Sequence, residues 1–346
     1  MNRYEEDVIG QTACVRGALD TMLEQVTSSN IAEMKKKTWS KVVFAGMGSS
    51  HFVCHGAVIH LIENGIDARV LSASELLHYE MGLIDENTLL VLVSQSGESA
   101  EIVRLIERLP SHFSIFAITN EPASTLAIRA QWKLILHVER EQSVTTRTYL
   151  ASLVAVHLLA RELSDTMHEA DFKRDMREAL VKMDHVLQNH SLRQKLNGFI
   201  EDPPYLCLIG RGYSLSTVRA GALFIREVAK YPALDFDAAE FRHGPMEMVD
   251  GQFTAIVFAP AGVTAALNLK LALDIAERGG KAVLIINEMC DIVHPNILVI
   301  PLPPVHEVMS PLLDVIPVQW IANELAVRRQ LEVGAFRWSS KVTSKE

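Results

Sequence analysis

Short apolar runs recur along the chain, each stopped by Gly, Ser, Asn or Pro or by a change to polar residues. KVVFAG (41–46), ARVLS (68–72), LLVLVS (89–94), FSIFAITN (113–120) and LILHV (134–138) lie in the first half. YLCLIG (205–210), TAIVFAP (254–260), AVLIIN (282–287) and ILVIPLP (297–303) lie in the second. These runs are too uniformly apolar to be half-exposed, so the pattern predicts buried parallel strands separated by crossover helices. VIGQTACVRGALDTMLEQV near the start reads as one amphipathic helix. YLASLVAVHLLARELSD from residue 149 and DFKRDMREALVKMDHVLQNH after it read as long helices.

The two halves align. KVVFAGMGSSHFVCHGAVIHLI matches YLCLIGRGYSLSTVRAGALFIREV, with Gly46 opposite Gly210, and the strands ending at Ser94 and Asn120 match those near Ala259 and Asn287. The offset stays near 165 residues, so one α/β unit is used twice. The expected fold is α/β: two flavodoxin-like three-layer αβα subdomains, each with a parallel sheet covered on both faces. The boundaries read as a helical segment at 1–40, a first domain at 41–165, a linking helix at 166–197, a second domain at 198–330 and a tail at 331–346.

A formal charge of −9, with acids and bases interspersed, leaves no basic face for a phosphate backbone and argues against nucleic acid. No apolar run is long enough to span a bilayer. The acidic start, MNRYEEDVIGQ, is unlike a signal peptide. Cys14, Cys54, Cys207 and Cys290 are scattered, without a CxxC pair, which predicts a reduced cytoplasmic protein with neither disulfides nor a metal site.

Chemistry concentrates at strand ends. In SQSGES, Ser94, Gln95, Ser96 and Ser99 crowd around Gly97 where a strand stops and a helix starts. Free backbone N–H groups and the helix dipole favour an anion there, hydroxyls add donors, and Gly97 permits close approach. With no P-loop lysine, a monophosphate fits better than a nucleoside triphosphate. The matching stretch of the second half is APAG (259–262), so one phosphate per chain is expected. GMGSS (46–50) and GRGYS (210–214) also follow strands and open helices. They miss the dinucleotide fingerprint, because His51 and Leu215 stand where a third glycine belongs, and a plain tight turn explains GRGYS equally well. Ser50 follows the first strand and can reach the same anion. Glu227, in the apolar GALFIREVAKY, is a candidate general base with a raised pKa, or a surface partner of Arg226 or Lys230. His243, before the Gly244–Pro245 turn, suits proton transfer or backbone capping.

Taken in order, GMGSS, SQSGES and the Glu227…EFRHGP spacing resemble the tandem sugar-isomerase (SIS) family over essentially the whole chain, as does the FRWSSKVTSKE tail. Its members include the isomerase half of glucosamine-6-phosphate synthase, SIS-type glucosamine-6-phosphate deaminases, and deglycases of phosphorylated sugar–amino acid (Amadori-type) compounds. By matching positions, the resemblance implies that Ser50, Ser94, Gln95, Ser96 and Ser99 hold the sugar phosphate. It implies a base in Glu227 that moves a proton between C1 and C2, and a ring-opening or amine-protonating acid in His243, which in relatives can come from the neighbouring subunit. Lys341 matches the tail lysine that closes over the substrate, while Gly48, Thr146 and Arg242 fall in the sugar pocket. No metal or cofactor is implied.

Some positions depart from relatives. Phe224 stands where the synthase has a lysine one turn before the glutamate, Arg147 follows Thr146 in place of a lysine, and Arg242 replaces another. With the first strand beginning near residue 41, no glutaminase domain is expected before it. With Glu247 following HGPM, the wording is closest to the deglycases. The expected activity is therefore cleavage of the C–N bond of a 6-phosphorylated sugar–amino acid to hexose 6-phosphate and free amine. Glucosamine-6-phosphate deamination or aldose–ketose isomerisation is the alternative, and a sugar-phosphate sensor the third reading. Apolar helices such as HGAVIHLI predict a homodimer or larger closed assembly with shared sites.

Overall fold

The computed structural model describes residues 1–338 and 340–343, without the side chains of residues 29 and 30. The chain forms two compact units. One comprises Gly10–Asp175 with Phe336–Glu346, and is called the first unit; the other comprises Met1–Ile9 with Met176–Ala335. Residues 1–40 carry the helices Arg3–Val26 and Ser29–Lys35, and the first of these contributes its opening residues to the second unit.

The first unit is built on β1 (Lys41–Gly46), β2 (Ala68–Ser72), β3 (Thr88–Val93), β4 (Ser114–Thr119) and β5 (Trp132–Ile135), in the order β2-β1-β3-β4-β5 and all parallel. The second unit repeats it with β6 (Leu206–Gly210), β7 (Ala233–Asp237), β8 (Thr254–Ala259), β9 (Lys281–Ile286) and β10 (Ile297–Pro301), in the order β7-β6-β8-β9-β10. Central strands β3, β4 and β8 are buried at every position, as their unbroken apolar runs require. Phe44, Phe116 and Phe258 fill these sheets without exposed surface. In both units the strand order reverses around the first strand, the switch point where ligands of open α/β sheets collect.

Three elements differ from the sequence pattern. β5 covers Trp132–Ile135, earlier than LILHV, because the Asn120 side chain takes over the backbone of Val138. His137 sits there in the left-handed region, at φ 53°. β7 is missing from the sequence pattern because ALDFD lies at a sheet edge, with only Ala233 buried, and so does not read as an apolar run. The helix Ser310–Arg328 holds Pro317 in its interior, a residue that in a sequence argues for a break. Four helices bear on function, numbered α1 (Ala100–Arg108), α2 (Arg147–Leu163), α3 (Leu215–Ala229) and α4 (Ser310–Arg328). α4 packs along α3 in the second unit, where Gly221 lets Val318 and Leu208 approach the helix backbone.

Candidate functional site

In the first unit, Ser94 directly follows β3, and Ser99 caps α1. Ser94 and Ser96 are buried, and Gln95 and Ser99 half-buried. The hydroxyls bind the loop to itself. Ser94 Oγ accepts the Gly97 N–H at 3.1 Å and lies 3.3 Å from Ser99 Oγ, and Ser96 Oγ accepts the Glu98 N–H at 3.2 Å. From outside, Thr119 Oγ1 and the Asn120 N–H both donate to the Gln95 carbonyl, at 3.2 and 3.0 Å. Gly97 has φ 64°, and a Cβ there would lie 2.2 Å from Ser124 Oγ, so only glycine fits. Among the described residues, nothing accepts the backbone N–H of Ser96 or Ser99. The loop is a fixed ring of hydroxyl and amide donors at a helix start, with no basic side chain of its own, which is chemistry for an anion.

Ser50 lies in the helical turn that follows Gly48, which adopts φ 52°. It lines one small recess together with Ser49, Gln95, Thr145, Thr148, Tyr149 and Ser152. The structure thus brings Ser50 and Gln95 together, and adds Ser49 and four residues around the start of α2, none of which the sequence reading singled out. Thr145, Thr148, Tyr149 and Ser152 share one face of α2 and the turn before it, at spacings of three and four residues. That spacing was the available signal, hidden in a helix that reads as apolar throughout. Thr146 is the N-terminal flanking residue of α2, fully buried, and its Oγ1 has no partner among the described residues.

Lys341 is also part of the first unit. Its ammonium lies 3.1 Å from Glu141 Oε1 and donates to the carbonyls of Glu141 and Ser143, at 3.0 and 3.2 Å. In the tail, residues 339 and 344–346 lie outside the described residues.

The second unit holds the proton-transfer candidates. Glu227 is half-buried in the last turn of α3, and burial raises its carboxyl above the ordinary range, opposed by the charges of Lys230 and Arg226. Lys230 ends the helix in the left-handed region, at φ 52°, and donates to the carbonyls of Glu227 and Ala335. The Tyr4 phenol of the same unit is raised by burial and by the charges of Glu227 and Asp7, which places negative charge near its hydroxyl. Phe224 fills its position as a fully buried core side chain. His243 ends the short helix Ala238–Arg242, is exposed, and its backbone N–H donates to Glu240 at 2.9 Å. Arg242 pairs with Asp274 at 2.6 Å. Among the described residues no cluster of His, Cys, Asp or Glu is arranged to hold a metal ion.

With this geometry in view, comparison with known proteins is informative. The SIS domain model matches residues 37–161 and again 200–329. Glutamine–fructose-6-phosphate aminotransferase (isomerizing) of Thermococcus kodakarensis is 26% identical over 341 residues, covering 94% of this chain and 55% of that protein. The chain therefore spans about half the length of the curated relatives it matches. Among solved structures, the C-terminal domain of glucosamine-fructose-6-phosphate aminotransferase from Francisella tularensis superposes with a TM-score of 0.87 at 19% identity, covering 96% of this chain and 98% of that one. Tagatose-6-phosphate ketose/aldose isomerase from Escherichia coli follows at 0.82 and 19% identity, covering 98% of each chain. These structural likenesses speak for the fold, and the paired family match goes further: the chain belongs to the SIS domain family, with two copies of the domain.

Proposed function

We propose that this chain is a phosphosugar-processing enzyme that anchors its substrate by the phosphate and moves a proton between C1 and C2 of the sugar. The observation that carries the reading is the SQSGES loop. Its buried hydroxyls and open amides form a donor ring at the start of a helix, with no basic side chain of its own. The aminotransferase and isomerase named above act, by their names, on 6-phosphorylated sugars, which agrees with that ring.

Glu227 is the base in this account. A carboxyl raised by burial sits closer to working pH, where it can both take and return a proton. The finer reading is a deglycase acting on a 6-phosphorylated Amadori-type compound. Glu227 removes a proton from C1, the enaminol that forms is reprotonated at C2, and a C1 imine results. Water adds to the imine, and the amine leaves after protonation by His243, giving hexose 6-phosphate and free amine. Lys341 holds the tail in this scheme, with Gly48, Thr146 and Arg242 shaping the sugar site. Phe224 supports the deglycase over the deaminase, because a buried phenyl occupies the position of the synthase's lysine.

A coupled assay decides. The purified protein is given fructosamine-type and glucoselysine-type 6-phosphates and glucosamine 6-phosphate, with glucose 6-phosphate, amino acid and ammonia all measured. Amino acid released together with glucose 6-phosphate is the expected result. Ammonia from glucosamine 6-phosphate alone would move the assignment to a deaminase, and tight binding without turnover to a sensor.

A further inference from the structure

Glu141 plays no part in the functions argued so far, yet it is among the most enclosed carboxylates of the first unit. Its side chain has no exposed surface. Thr148 donates to it twice, from Oγ1 at 2.7 Å and from the backbone N–H at 3.3 Å, and the Lys341 ammonium lies 3.1 Å from its Oε1. Burying a carboxylate is costly unless charge and hydrogen bonds compensate, so the carboxylate selects for a cation at this point. Three acceptors surround the Lys341 ammonium: Glu141 Oε1, the Glu141 carbonyl and the Ser143 carbonyl. Two of its donors are engaged by carbonyls, beside the ion pair. Two residues further along, the Thr343 carbonyl accepts the Ala100 N–H at 3.0 Å. That N–H is the first of α1, the helix that SQSGES opens.

We propose that Glu141 is a positioning residue: it anchors the tail through Lys341, and so sets the Thr343 carbonyl on the helix start that holds the substrate phosphate. Lys341 serves here as a tether, its ammonium held by acceptors of the chain itself. The inference that tail and phosphate share α1 rests on the phosphate-binding reading of SQSGES; the anchor itself does not. Because both engage one helix start, anchoring and phosphosugar binding are linked, and each changes the other's affinity by the same factor.

The test separates these two layers. Hydrogen exchange is followed in the peptide covering 340–343, first without ligand, in wild type, Glu141→Ala, Lys341→Met and the double variant. Faster tail exchange in both single variants, with no further increase in the double, is expected; Lys341→Arg restores protection. Lys341→Met leaves the Glu141–Thr148 bonds in place, so it reports the tether even where Glu141→Ala unsettles α2. Unchanged tail exchange in Lys341→Met, or additive effects in the double variant, would overturn the anchor. The second arm titrates glucose 6-phosphate, with roughly tenfold weaker binding expected in Lys341→Met. Intact affinity in that variant, while wild type binds and exchange rises, would overturn the linkage to the phosphate. No binding by wild type would instead count against the phosphate reading and leave the exchange result to judge the anchor.

Discussion

The two copies of the domain hold the same scaffold around opposite solutions for negative charge. Gly48 and Gly212 both adopt left-handed φ, 52° and 61°. Ser50 matches Ser214, Gly97 matches Gly262, Ser99 matches Thr264, and helices start at Ala100 and Ala265. In the first copy the strand-end loop is a ring of hydroxyls and amides. In the second, the chain supplies its own carboxylate: a Cβ on Gly262 would lie 2.1 Å from Glu307 Oε2, and one on Gly212 3.7 Å from Glu307 Oε1. Glu307 therefore lies against both loops that correspond to the anion site. Ser214, the counterpart of Ser50, donates to the buried Asp314 at 3.3 Å. One copy presents a ring of donors and the other sets a carboxylate of its own against the equivalent loops, so the two copies differ in their loops and not in their fold.

In the proposed mechanism the base is Glu227 of the second unit, and removing it carries the largest expected effect. Glu227→Gln keeps the shape of the side chain and removes the base. Turnover of the substrate found in the coupled assay should fall by roughly 100-fold or more, with binding of glucose 6-phosphate unchanged. Full turnover in Glu227→Gln would leave the base to be sought elsewhere.

A matched pair of substitutions sharpens the difference between the loops. Ser99→Ala should weaken glucose 6-phosphate binding by roughly tenfold or more, the effect of losing a hydrogen bond to a charged group. Thr264→Ala, in the second copy, should leave it unchanged. Calorimetric titration of both variants reads this directly, and equal losses would mean that the second copy still takes part in phosphate binding.

The filled copy has a signature in stability against pH. Burial holds Asp314 up at about 8, against 3.8 for the free side chain, despite its bond from Ser214. Between these values the unfolded chain is ionised and the folded one protonated at this site. Folding takes up a proton there, so this contribution to stability falls as pH rises from about 4 to 8. Asp314→Asn cannot ionise. Its melting temperature should exceed that of wild type at pH 7.5, with the gap shrinking towards pH 4. Melting curves that run parallel across this range would show that Asp314 is charged in the folded protein.

Much of this was legible in the sequence, for reasons that can be named. Buried parallel strands write themselves as apolar runs, which is why β1, β3, β4 and β8 stand out, while the edge strand β7, polar at most positions, does not. SQSGES is a local device, since strand end, hydroxyls and helix start are contiguous, and its chemistry can be read from six letters. The recess on α2 is less legible because Thr148 and Ser152 are spaced along a helix whose apolar residues dominate the pattern. Glu141 and Lys341 are 200 residues apart, and Glu307 reaches Gly262 across two strands, so no local pattern announces either contact. The pKa of Glu227 follows from burial, which a single helix sequence only hints at through its apolar neighbours.

The central claim is that the first copy alone binds the substrate phosphate. Calorimetric titration of wild type and Ser94→Ala with glucose 6-phosphate tests it most directly. The account predicts one phosphosugar per chain, with affinity sharply reduced in Ser94→Ala. Two sites per chain, or full affinity without the Ser94 hydroxyl, would contradict it.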